Sequence, residues 1–413
     1  MNLSERDQAM LNGDLGSGVE LAMRLLVEVG TAQGGHDLID ITSAHIDGCL
    51  YHGRAGVDFA RELADGGSRV AVPTTLNVSS LDLLHPELYR GSAESASASK
   101  IQMDAYVSMG CQPTWTCSPY QLAHRPGLGD QIAWGESNAI VFANSVLGAR
   151  TERYGDFMDI CCALTGRAPN VGLHTTDGRR ARMVVDLNFD DGLLDEELTY
   201  PLIGGAIGKW AGNRVVAIVG LDARASEDRL KALGAAAAST GAVAMFHAVG
   251  VTPESATLED ATQGINPDRR VAVGASELAE AFDVFNQSAG TLGAVTVGTP
   301  HFSLSEFLAL HEMIGHRRTK VPFYVNTGRE VLTEIVKLGL TDRIEEFGAT
   351  IVTDTCAYIT PIIGDVDGVV MTNSGKAAFY APGNLGVQVA FGSLRDCVES
   401  AETGRVVSTG PFA

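Results

Sequence analysis

The 413-residue sequence carries 50 acidic and 30 basic side chains, which gives a formal net charge of −20 at pH 7. Hydrophobic residues make up 45% and charged residues 19%, a balance typical of a globular protein with a sizeable core. An acidic surface repels phosphate backbones, so we expect no nucleic-acid partner. No apolar run approaches the roughly 18 residues of a membrane span, and the polar N-terminus does not resemble a signal peptide. We therefore expect a cytoplasmic protein without a membrane partner.

The first half of the chain predicts short elements in an irregular order. Apolar spacing and capping residues predict helices from Ser4 to near Gly13, over 19–29 and over 59–63, and strands over 38–46 and 69–72. The small, polar stretch 91–100 is interpreted as a surface loop. The stretch 132–173 is dense in Gly, Ala, Ser and Asn, so the spacing of its apolar residues does not show where helices and strands lie.

The second half alternates more regularly. The predicted strands cover 215–221, 242–249, 294–297, 323–325, 349–353 and 368–371, and the predicted helices cover 227–238, 276–286, 305–314 and 329–338. This alternation predicts the α/β class, with a mostly parallel sheet covered by helices on both faces. No linker-like run divides the chain, and we place a boundary between two lobes at about residues 205 and 206.

Three polar segments directly follow predicted strands. They are 73–77, 298–301 and 354–356. In parallel α/β sheets, ligands bind beyond the carboxyl ends of the strands. We therefore expect these segments to contribute to one or more ligand sites.

The seven cysteines are odd in number and mostly far apart, which argues against a disulfide framework. Cys117 lies in a turn after an aromatic residue, Cys356 directly follows a predicted strand, and Cys397 lies near the start of the last helix. Three such thiolates can hold an iron–sulfur cluster with one open iron, which can bind a hydroxyl group. No CxxC pair is present, and a lone cysteine is more often a small buried hydrophobe. Cys111 is the main alternative ligand.

Other polar residues are candidates for binding a carboxylate or moving a proton. We expect catalytic roles for His45, Ser137, Asn138 and Lys376, and substrate contacts for Thr75, Asn77, Arg150 and Ser374. His301 lies in a similar strand-end turn, where a structural role is the alternative to an acid or base. The segment 372–376 lacks the spaced glycines of a phosphate loop, so a nucleotide site is not expected.

Several segments together resemble the aconitase X family. The matching segments are 44–48, 72–77, 115–117, 131–139, 142–151, 153–157, 298–303, 354–356 and 372–374. The similarity runs from about residue 3 to about residue 405. It implies an aconitase-like α/β fold in two or three lobes and the large, catalytic unit of a dehydratase. The small swivelling unit, which carries a serine base in aconitases, is then expected as a separate partner chain.

The resemblance also implies a cofactor and a substrate class. An iron–sulfur cluster, of [2Fe–2S] or [4Fe–4S]/[3Fe–4S] type, is expected on Cys117, Cys356 and Cys397. Known family activities are dehydration of cis-3-hydroxy-L-proline, which yields Δ1-pyrroline-2-carboxylate, and dehydration of mevalonate 5-phosphate. Arg150, Arg153 and Lys376 can hold a phosphate, but the acidic chain shows no obvious cationic cluster, which favours the hydroxyproline reaction. Phe379 stands where the family often has a histidine, which leaves the substrate open.

Two functions outside this class remain as alternatives. The first is a non-catalytic iron–sulfur sensor or scaffold. A sensor that binds nucleic acid needs a basic surface, whereas this chain has a net charge of −20. An inactive scaffold tends to lose its cysteines, whereas all three candidate ligands are present here. A hydrolytic zinc enzyme is the other, and it needs close ligand pairs such as HExxH, which the sequence lacks.

Overall fold

A computed structural model describes residues 1–287, 290–364 and 366–410. These residues form two compact units. Unit 1 comprises Met1–Leu81 and Gly91–Arg180, and unit 2 comprises Asp82–Arg90 and Ala181–Ala413. The boundary that the sequence places at 205/206 differs from this division, because it falls inside a helix of unit 2, Thr199–Ala211. None of the described helices is both long and apolar enough to cross a membrane.

Unit 1 contains six α-helices and five short strands among its described residues. The helices are α1 Glu5–Leu11, α2 Ser17–Ala32, α3 Arg54–Asp65, α4 Ala93–Ser108, α5 Ser137–Phe142 and α6 Met158–Thr165. The strands are β1 Leu38–Asp40, β2 Ala44–Ile46, β3 Thr74–Leu76, β4 Ala133–Trp134 and β5 Arg167–Pro169. Strands β3, β2 and β4 form a parallel sheet in that order, and β1 pairs with β5 in antiparallel fashion. The three parallel carboxyl ends therefore meet at one edge.

Three predictions for unit 1 differ from the structure. The strand predicted over 69–72 is wrong: the amides of Val70 and Ala71 donate to carbonyls outside any sheet, and the strand begins after Pro73. The loop predicted over 91–100 is wrong, because Ser92 caps helix α4 and the alanine-rich sequence that follows favours helix. The single strand predicted over 38–46 is two strands that belong to different sheets.

Unit 2 contains nine α-helices and nine strands among its described residues. The helices are α7 Thr199–Ala211, α8 Glu227–Thr240, α9 Leu258–Thr262, α10 Ala275–Phe285, α11 Leu304–Ile314, α12 Arg329–Lys337, α13 Thr341–Phe347, α14 Gly375–Leu385 and α15 Leu394–Thr403. The strands are β6 Met183–Leu187, β7 Val216–Val219, β8 Phe246–Ala248, β9 Arg269–Val273, β10 Leu292–Phe302, β11 Phe323–Thr327, β12 Ala349–Val352, β13 Val369–Thr372 and β14 Val389–Phe391.

The strands of unit 2 form two parallel sheets, which confirms the predicted α/β class. One has the order β8-β7-β6-β9, and the other has the order β12-β11-β10-β13-β14. The core of the five-stranded sheet contains edge-to-face aromatic pairs, with ring centroids 5.6 Å apart for Phe302 and Phe307 and 5.3 Å apart for Phe323 and Phe347. Such pairs contribute about 0.5–1.5 kcal/mol each beyond their burial. This packing fixes the strands whose carboxyl ends carry polar residues.

Candidate active site

The carboxyl edge of the β3-β2-β4 sheet in unit 1 carries a buried polar cluster. His45 and Thr75 are paired in register, and His45 Nδ1 lies 2.8 Å from Thr75 Oγ1. The side-chain amide of Asn77 donates to the Asp47 carboxylate, and the Asp47 backbone amide donates to Asp159 Oδ2 at 2.6 Å. The structure thus connects the predicted residues His45 and Thr75. It also joins Asn77 to Asp47, whose backbone amide is bound by Asp159, and neither acid is among the predicted site residues.

The environment of His45 fixes its charge. The side chain is fully buried, and burial lowers its pKa to about 3, although a backbone hydrogen bond with Thr116 acts in the opposite direction. The imidazole is therefore neutral at pH 7. It can exchange a proton through Thr75 or hold a hydroxyl group, but it does not offer a positive charge to a carboxylate.

Helix α5 begins with two of the predicted catalytic residues of unit 1, Ser137 and Asn138. Glu136 caps the helix, and the Asn138 side-chain amide donates both to the Glu136 carboxylate and, at 2.9 Å, to the backbone carbonyl of Cys117. Asn138 Oδ1 accepts from the Tyr120 hydroxyl at 2.7 Å. Ser137 is half-buried, and its hydroxyl donates to Glu136 at 3.4 Å. Asn138 consequently anchors the loop that carries Cys117.

Arg150 has a different setting from the other predicted residues of unit 1. Its guanidinium donates to the backbone carbonyl of His174 at 3.3 Å and to the Thr176 hydroxyl at 3.2 Å. These bonds tie two segments of unit 1 together. Its predicted contact with substrate stays a prediction.

Asp159, on α6, is a buried acid whose carboxylate binds the backbone amide of Asp47, directly after strand β2. Burial raises its pKa to about 7, even though the backbone amides of Asp47 and Ile160 donate to its carboxylate. A Cβ atom at Gly135 would lie 2.2 Å from Asp159 Oδ2, so only glycine fits there. The folded chain therefore holds a proton on Asp159 that the unfolded chain has already lost near pH 5.

This raised pKa predicts how stability depends on pH. Because the folded state binds the extra proton, the free energy of unfolding should fall as the pH rises from about 4 to about 7. Asp159→Asn should make this decline shallower, whereas Asp14→Asn, at an exposed position, should leave it unchanged. Urea unfolding across this pH range measures the slope, and identical slopes in both variants and the wild type would contradict the assignment.

In unit 2, the segment after β12 carries Cys356, which is 1% exposed. Asp354 has a left-handed backbone (φ 60°) and forms a bidentate pair with Arg329, with both nitrogen–oxygen distances at 2.6 Å. The Asp82 carboxylate accepts from the Thr353 amide at 2.9 Å and from its hydroxyl at 3.0 Å. Two acids therefore hold the segment that leads into Cys356.

His301 lies beside this segment at the end of β10. Its Nε2 is 3.1 Å from the carbonyl oxygen of Thr355, which requires a proton on that nitrogen. A ring nitrogen of His301 and the sulfur of Cys356 lie within 4.8 Å of each other. A buried thiol and an imidazole held by a carbonyl are a donor set that suits iron or zinc.

The three predicted cysteine ligands have different surroundings. Cys117, 2% exposed, follows Trp115, whose φ of 45° marks a sharp turn. Cys397 lies in the apolar core, where burial, with smaller effects of Glu197 and Asp396, raises its thiol pKa well above its ordinary value. Within the described part of unit 2, Cys397 does not join His301 and Cys356 in a group of ligand atoms. Cys356 therefore has an imidazole donor near its sulfur, Cys397 has none among the described residues of unit 2, and the ligand roles of all three cysteines stay predictions.

A cavity of about 260 Å³ lies within unit 2. Its charged and hydroxyl-bearing lining includes Glu197, Ser226, Asp228, Arg229, Lys231, Thr299, Ser305, Glu306, Ser374 and Lys376. Ser374 caps α14 by accepting from the Ala377 amide at 3.0 Å, and its hydroxyl donates to the Thr299 carbonyl. The Thr299 side chain is 5% exposed, and its hydroxyl has no hydrogen-bond partner among the described residues. The cavity brings the predicted residues Ser374 and Lys376 together with Thr299.

One wall of the cavity is a charge cluster around the buried side chain of Lys231. Lys231 donates to Asp228 at 3.0 Å and to the Glu306 carboxylate. Burial alone would lower the pKa of Lys231, but the two carboxylates raise it above its ordinary value. Burial raises the pKa of Glu306 to about 7. We call Asp228, Lys231 and Glu306 the charge triad. Because its two acids share one cation, Glu306 keeps a proton more readily than an ordinary glutamate does.

This triad was not predicted from the sequence, because Glu306 and Asp228 lie at the starts of helices. Ser303 and Glu306 form a capping box, and this pattern predicts the start of a helix but not a contact between Glu306 and Lys231. Glu197 was missed as well. Its half-buried carboxylate accepts from the Asn373 side chain at 3.0 Å and from the Leu394 amide at 3.1 Å, and burial raises its pKa.

Parallel α/β units with thiol, imidazole and charged groups near their strand ends define an α/β protein with a small-molecule site. Family models match nearly the whole chain: aconitase X first domain over residues 1–177, second domain over 181–283 and third domain over 292–403. The chain therefore belongs to the aconitase X family.

Curated relatives and a solved structure agree with this membership. The chain is 43% identical to "Cis-3-hydroxy-L-proline dehydratase" of Pseudomonas aeruginosa, over 97% of this chain and 70% of that protein. It is 34% identical to "Phosphomevalonate dehydratase large subunit" of Thermococcus kodakarensis, over 97% of this chain and 100% of that protein. A crystal structure of Thermococcus kodakaraensis aconitase X in its holo-form matches with a TM-score of 0.87 and 32% identity, covering 97% of this chain and 100% of that one.

Proposed function

We propose that this chain is the large subunit of a dehydratase that removes water from cis-3-hydroxy-L-proline to give Δ1-pyrroline-2-carboxylate. The observation that carries the proposal is the order of identities among relatives. Two cis-3-hydroxy-L-proline dehydratases are 43% and 40% identical to the chain, whereas five phosphomevalonate dehydratase large subunits are 31–34% identical. Mevalonate 5-phosphate is therefore the second candidate substrate.

The proposed cofactor is an iron–sulfur cluster on Cys117, Cys356 and a third ligand, for which the sequence predicts Cys397. When bound, a cluster with an open iron supplies a Lewis acid for the leaving hydroxyl group. His301, whose ring nitrogen lies within 4.8 Å of the Cys356 sulfur, is an alternative third donor. The type of cluster is left open.

The reaction sets the tasks of the chain's own residues. In cis-3-hydroxy-L-proline the hydroxyl leaves from the carbon β to the carboxylate, and a proton leaves Cα. We propose that Lys376 holds the carboxylate in unit 2, where it lines the cavity with Ser374. In unit 1, neutral His45 and Thr75 can exchange a proton through their 2.8 Å contact.

The other predicted residues of unit 1 have supporting roles in this proposal. Asn138 holds the Cys117 loop through its 2.9 Å bond to the Cys117 carbonyl. Ser137 and Asn77 are proposed to contact substrate, as is Arg150. Each of these roles is a proposal from position and chemistry.

We propose a separate small subunit as the partner that supplies the serine base. The chain spans 70% and 69% of the two hydroxyproline dehydratases, but 100% and 99% of two proteins named as large subunits. The relatives named as large subunits support a small subunit as the partner, because such a name implies a second, smaller polypeptide in those enzymes.

The test is an anaerobic co-purification of the chain with the candidate small subunit, followed by a dehydration assay. We expect cis-3-hydroxy-L-proline to yield the cyclic imine, and mevalonate 5-phosphate to give no product. If only mevalonate 5-phosphate is turned over, the family assignment stands and mevalonate 5-phosphate becomes the proposed substrate. Iron-loaded protein without turnover of either compound would contradict the proposal and favour the non-catalytic alternative.

A further inference from the structure

A short segment of unit 2 runs between two parts of unit 1 in the sequence. It comprises residues Asp82–Arg90, and we call it the strap. The Leu88 side chain of the strap packs against an apolar cluster that contains Ala357 and Ile362. Both of these residues belong to the segment 353–362, which follows strand β12 and which we call the Cys356 loop. The strap therefore lies against the loop that carries a proposed cluster ligand.

Two buried carboxylates hold the start of the Cys356 loop against the strap. In the strap, the Asp82 carboxylate accepts from the Thr353 amide at 2.9 Å and from the Thr353 hydroxyl at 3.0 Å. In the loop, the Asp354 carboxylate accepts from the Leu83 amide at 3.1 Å. Each acid thus binds the backbone of the other's segment. Asp82 and Asp354 are 2% and 0% exposed, so these bonds to charged acceptors are stronger than bonds between neutral groups.

Arg90, at the other end of the strap, holds the end of the Cys356 loop. Its backbone amide donates to the Pro361 carbonyl at 2.8 Å, and its Nε donates to the Ile362 carbonyl at 3.0 Å. A Cβ atom at Gly364 would lie 3.2 Å from Arg90 Cζ, closer than an ordinary contact. The strap therefore binds the loop on both sides of Cys356.

The middle of the loop is a tight turn around Cys356. The amides of Ile359 and Thr360 both donate to the Cys356 carbonyl at 3.1 Å. Outside the turn, the Ala357 amide donates to Asn326 Oδ1 at 2.8 Å. A loop with both ends and its central turn bonded has few accessible conformations. The chain's own hydrogen bonds are thus sufficient to fix the backbone of Cys356.

We propose that the strap is a positioning clamp for Cys356, in which Asp82 and Arg90 hold the Cys356 loop in one shape before any cluster is bound. This inference rests on the proposed function, which gives Cys356 its ligand role. A ligand that is already ordered loses less conformational entropy when it binds, so it holds its metal more tightly. Asp82 and Arg90 are therefore positioning residues that act through Cys356.

Asp82→Asn breaks one bond of the clamp. An amide oxygen at the Oδ1 position still accepts from the Leu84 and His85 amides and from the Thr353 hydroxyl, all of which bind Oδ1. The amide nitrogen then faces the Thr353 amide, so two donors meet where a donor met an acceptor. Glu87→Gln, at an exposed acid of the strap, is the matched control.

Hydrogen–deuterium exchange of the full chain, prepared without iron, tests the clamp independently of the cofactor. Loss of a hydrogen bond to a charged acceptor shifts a local opening equilibrium about 10- to 100-fold. We expect the bonded amides of the Cys356 loop to exchange faster by about this factor in Asp82→Asn, and helix α8 to be unchanged. Thr353→Val, which keeps the amide bond and loses the hydroxyl bond, should give a smaller rise. It replaces Asp82→Asn if that variant does not fold.

Iron release tests the link to the proposed ligand. In the complex with the small subunit, we expect Asp82→Asn to lose iron to a chelator about 10- to 100-fold faster than the wild type, because release requires the same local opening. Arg90→Ala, which keeps only the backbone bond to Pro361, should act in the same direction. Glu87→Gln should release iron at the wild-type rate. Iron release under anaerobic conditions is followed by the loss of visible absorption.

The outcomes separate this inference from the proposed function. Faster loop exchange together with faster iron release supports the clamp. If the wild-type complex binds iron and forms the imine, but Asp82→Asn keeps the wild-type exchange or the wild-type iron release, the clamp is wrong and the proposed function stands. A lower melting temperature in that case assigns the strap a structural role. If the wild-type complex binds no iron, the proposed cofactor is wrong and the inference falls with it.

Discussion

Cys356→Ala should abolish the iron–sulfur spectrum and lower the dehydration rate by about three orders of magnitude. Cys356 is buried at the end of β12, close to His301, on a segment fixed by two acids. A Lewis acid contributes several kcal/mol to a reaction with a poor leaving group, and each 1.36 kcal/mol is a factor of ten in rate. Anaerobic visible absorption, iron content per chain and the initial rate measure the loss.

Two further alanine variants make this experiment decisive. Cys161→Ala, in the apolar helix α6, is the matched control and should keep both colour and activity. Cys397→Ala should separate the predicted ligand from a packed core thiol. Loss of iron in Cys397→Ala would confirm the sequence assignment, and retention of iron would assign that thiol to the core. Retention of both colour and iron in Cys356→Ala would refute the cluster proposal.

The regular half of the fold was predictable because its signals are local. Strands β11, β12 and β13 and helices α11 and α12 follow apolar runs and capping residues, so the sequence places them within a few residues of their true bounds. Helix α13 was not predicted, and β10 ends five residues beyond its predicted end at 297. The wrong predictions fall where long-range contacts, and not the local sequence, determine the secondary structure. The apolar run 69–72 resembles a strand, but its backbone amides donate to the carbonyls of Met109 and Ala163, which lie far along the chain.

The site was predictable only in part, for a related reason. Polar residues at strand ends, such as His45, Thr75 and Ser374, stand out in the sequence because the sheet edge is a known place for ligands. Asp159, Lys231 and Glu306 lie on helices, where charged residues are normally exposed. Nothing in their local spacing shows that they are buried against partners 75 to 112 residues away.

The second large effect concerns the charge triad. Lys231→Met should destabilise the chain by about 1.5–3 kcal/mol, because Asp228 and Glu306, whose side chains are 28% and 23% exposed, lose the charged hydrogen bonds from a buried cation. Lys209→Met is the matched control. Lys209 pairs with Glu280, but both side chains are about 60% exposed, and such a surface pair contributes about 0–1 kcal/mol. Urea unfolding followed by circular dichroism measures both changes.

The effect of Lys231→Met should also depend on pH in a defined direction. Burial already raises the pKa of Glu306 to about 7, and Lys231 acts to lower it, so removing the lysine raises it further. A carboxyl group whose pKa is raised in the folded state loses stability as the pH rises through that pKa. The destabilisation should therefore be larger at pH 8 than at pH 5, and adding Glu306→Gln should recover part of it. A loss no greater than that of Lys209→Met, or one equal at both pH values, would show that the triad does not form a buried ion pair in solution.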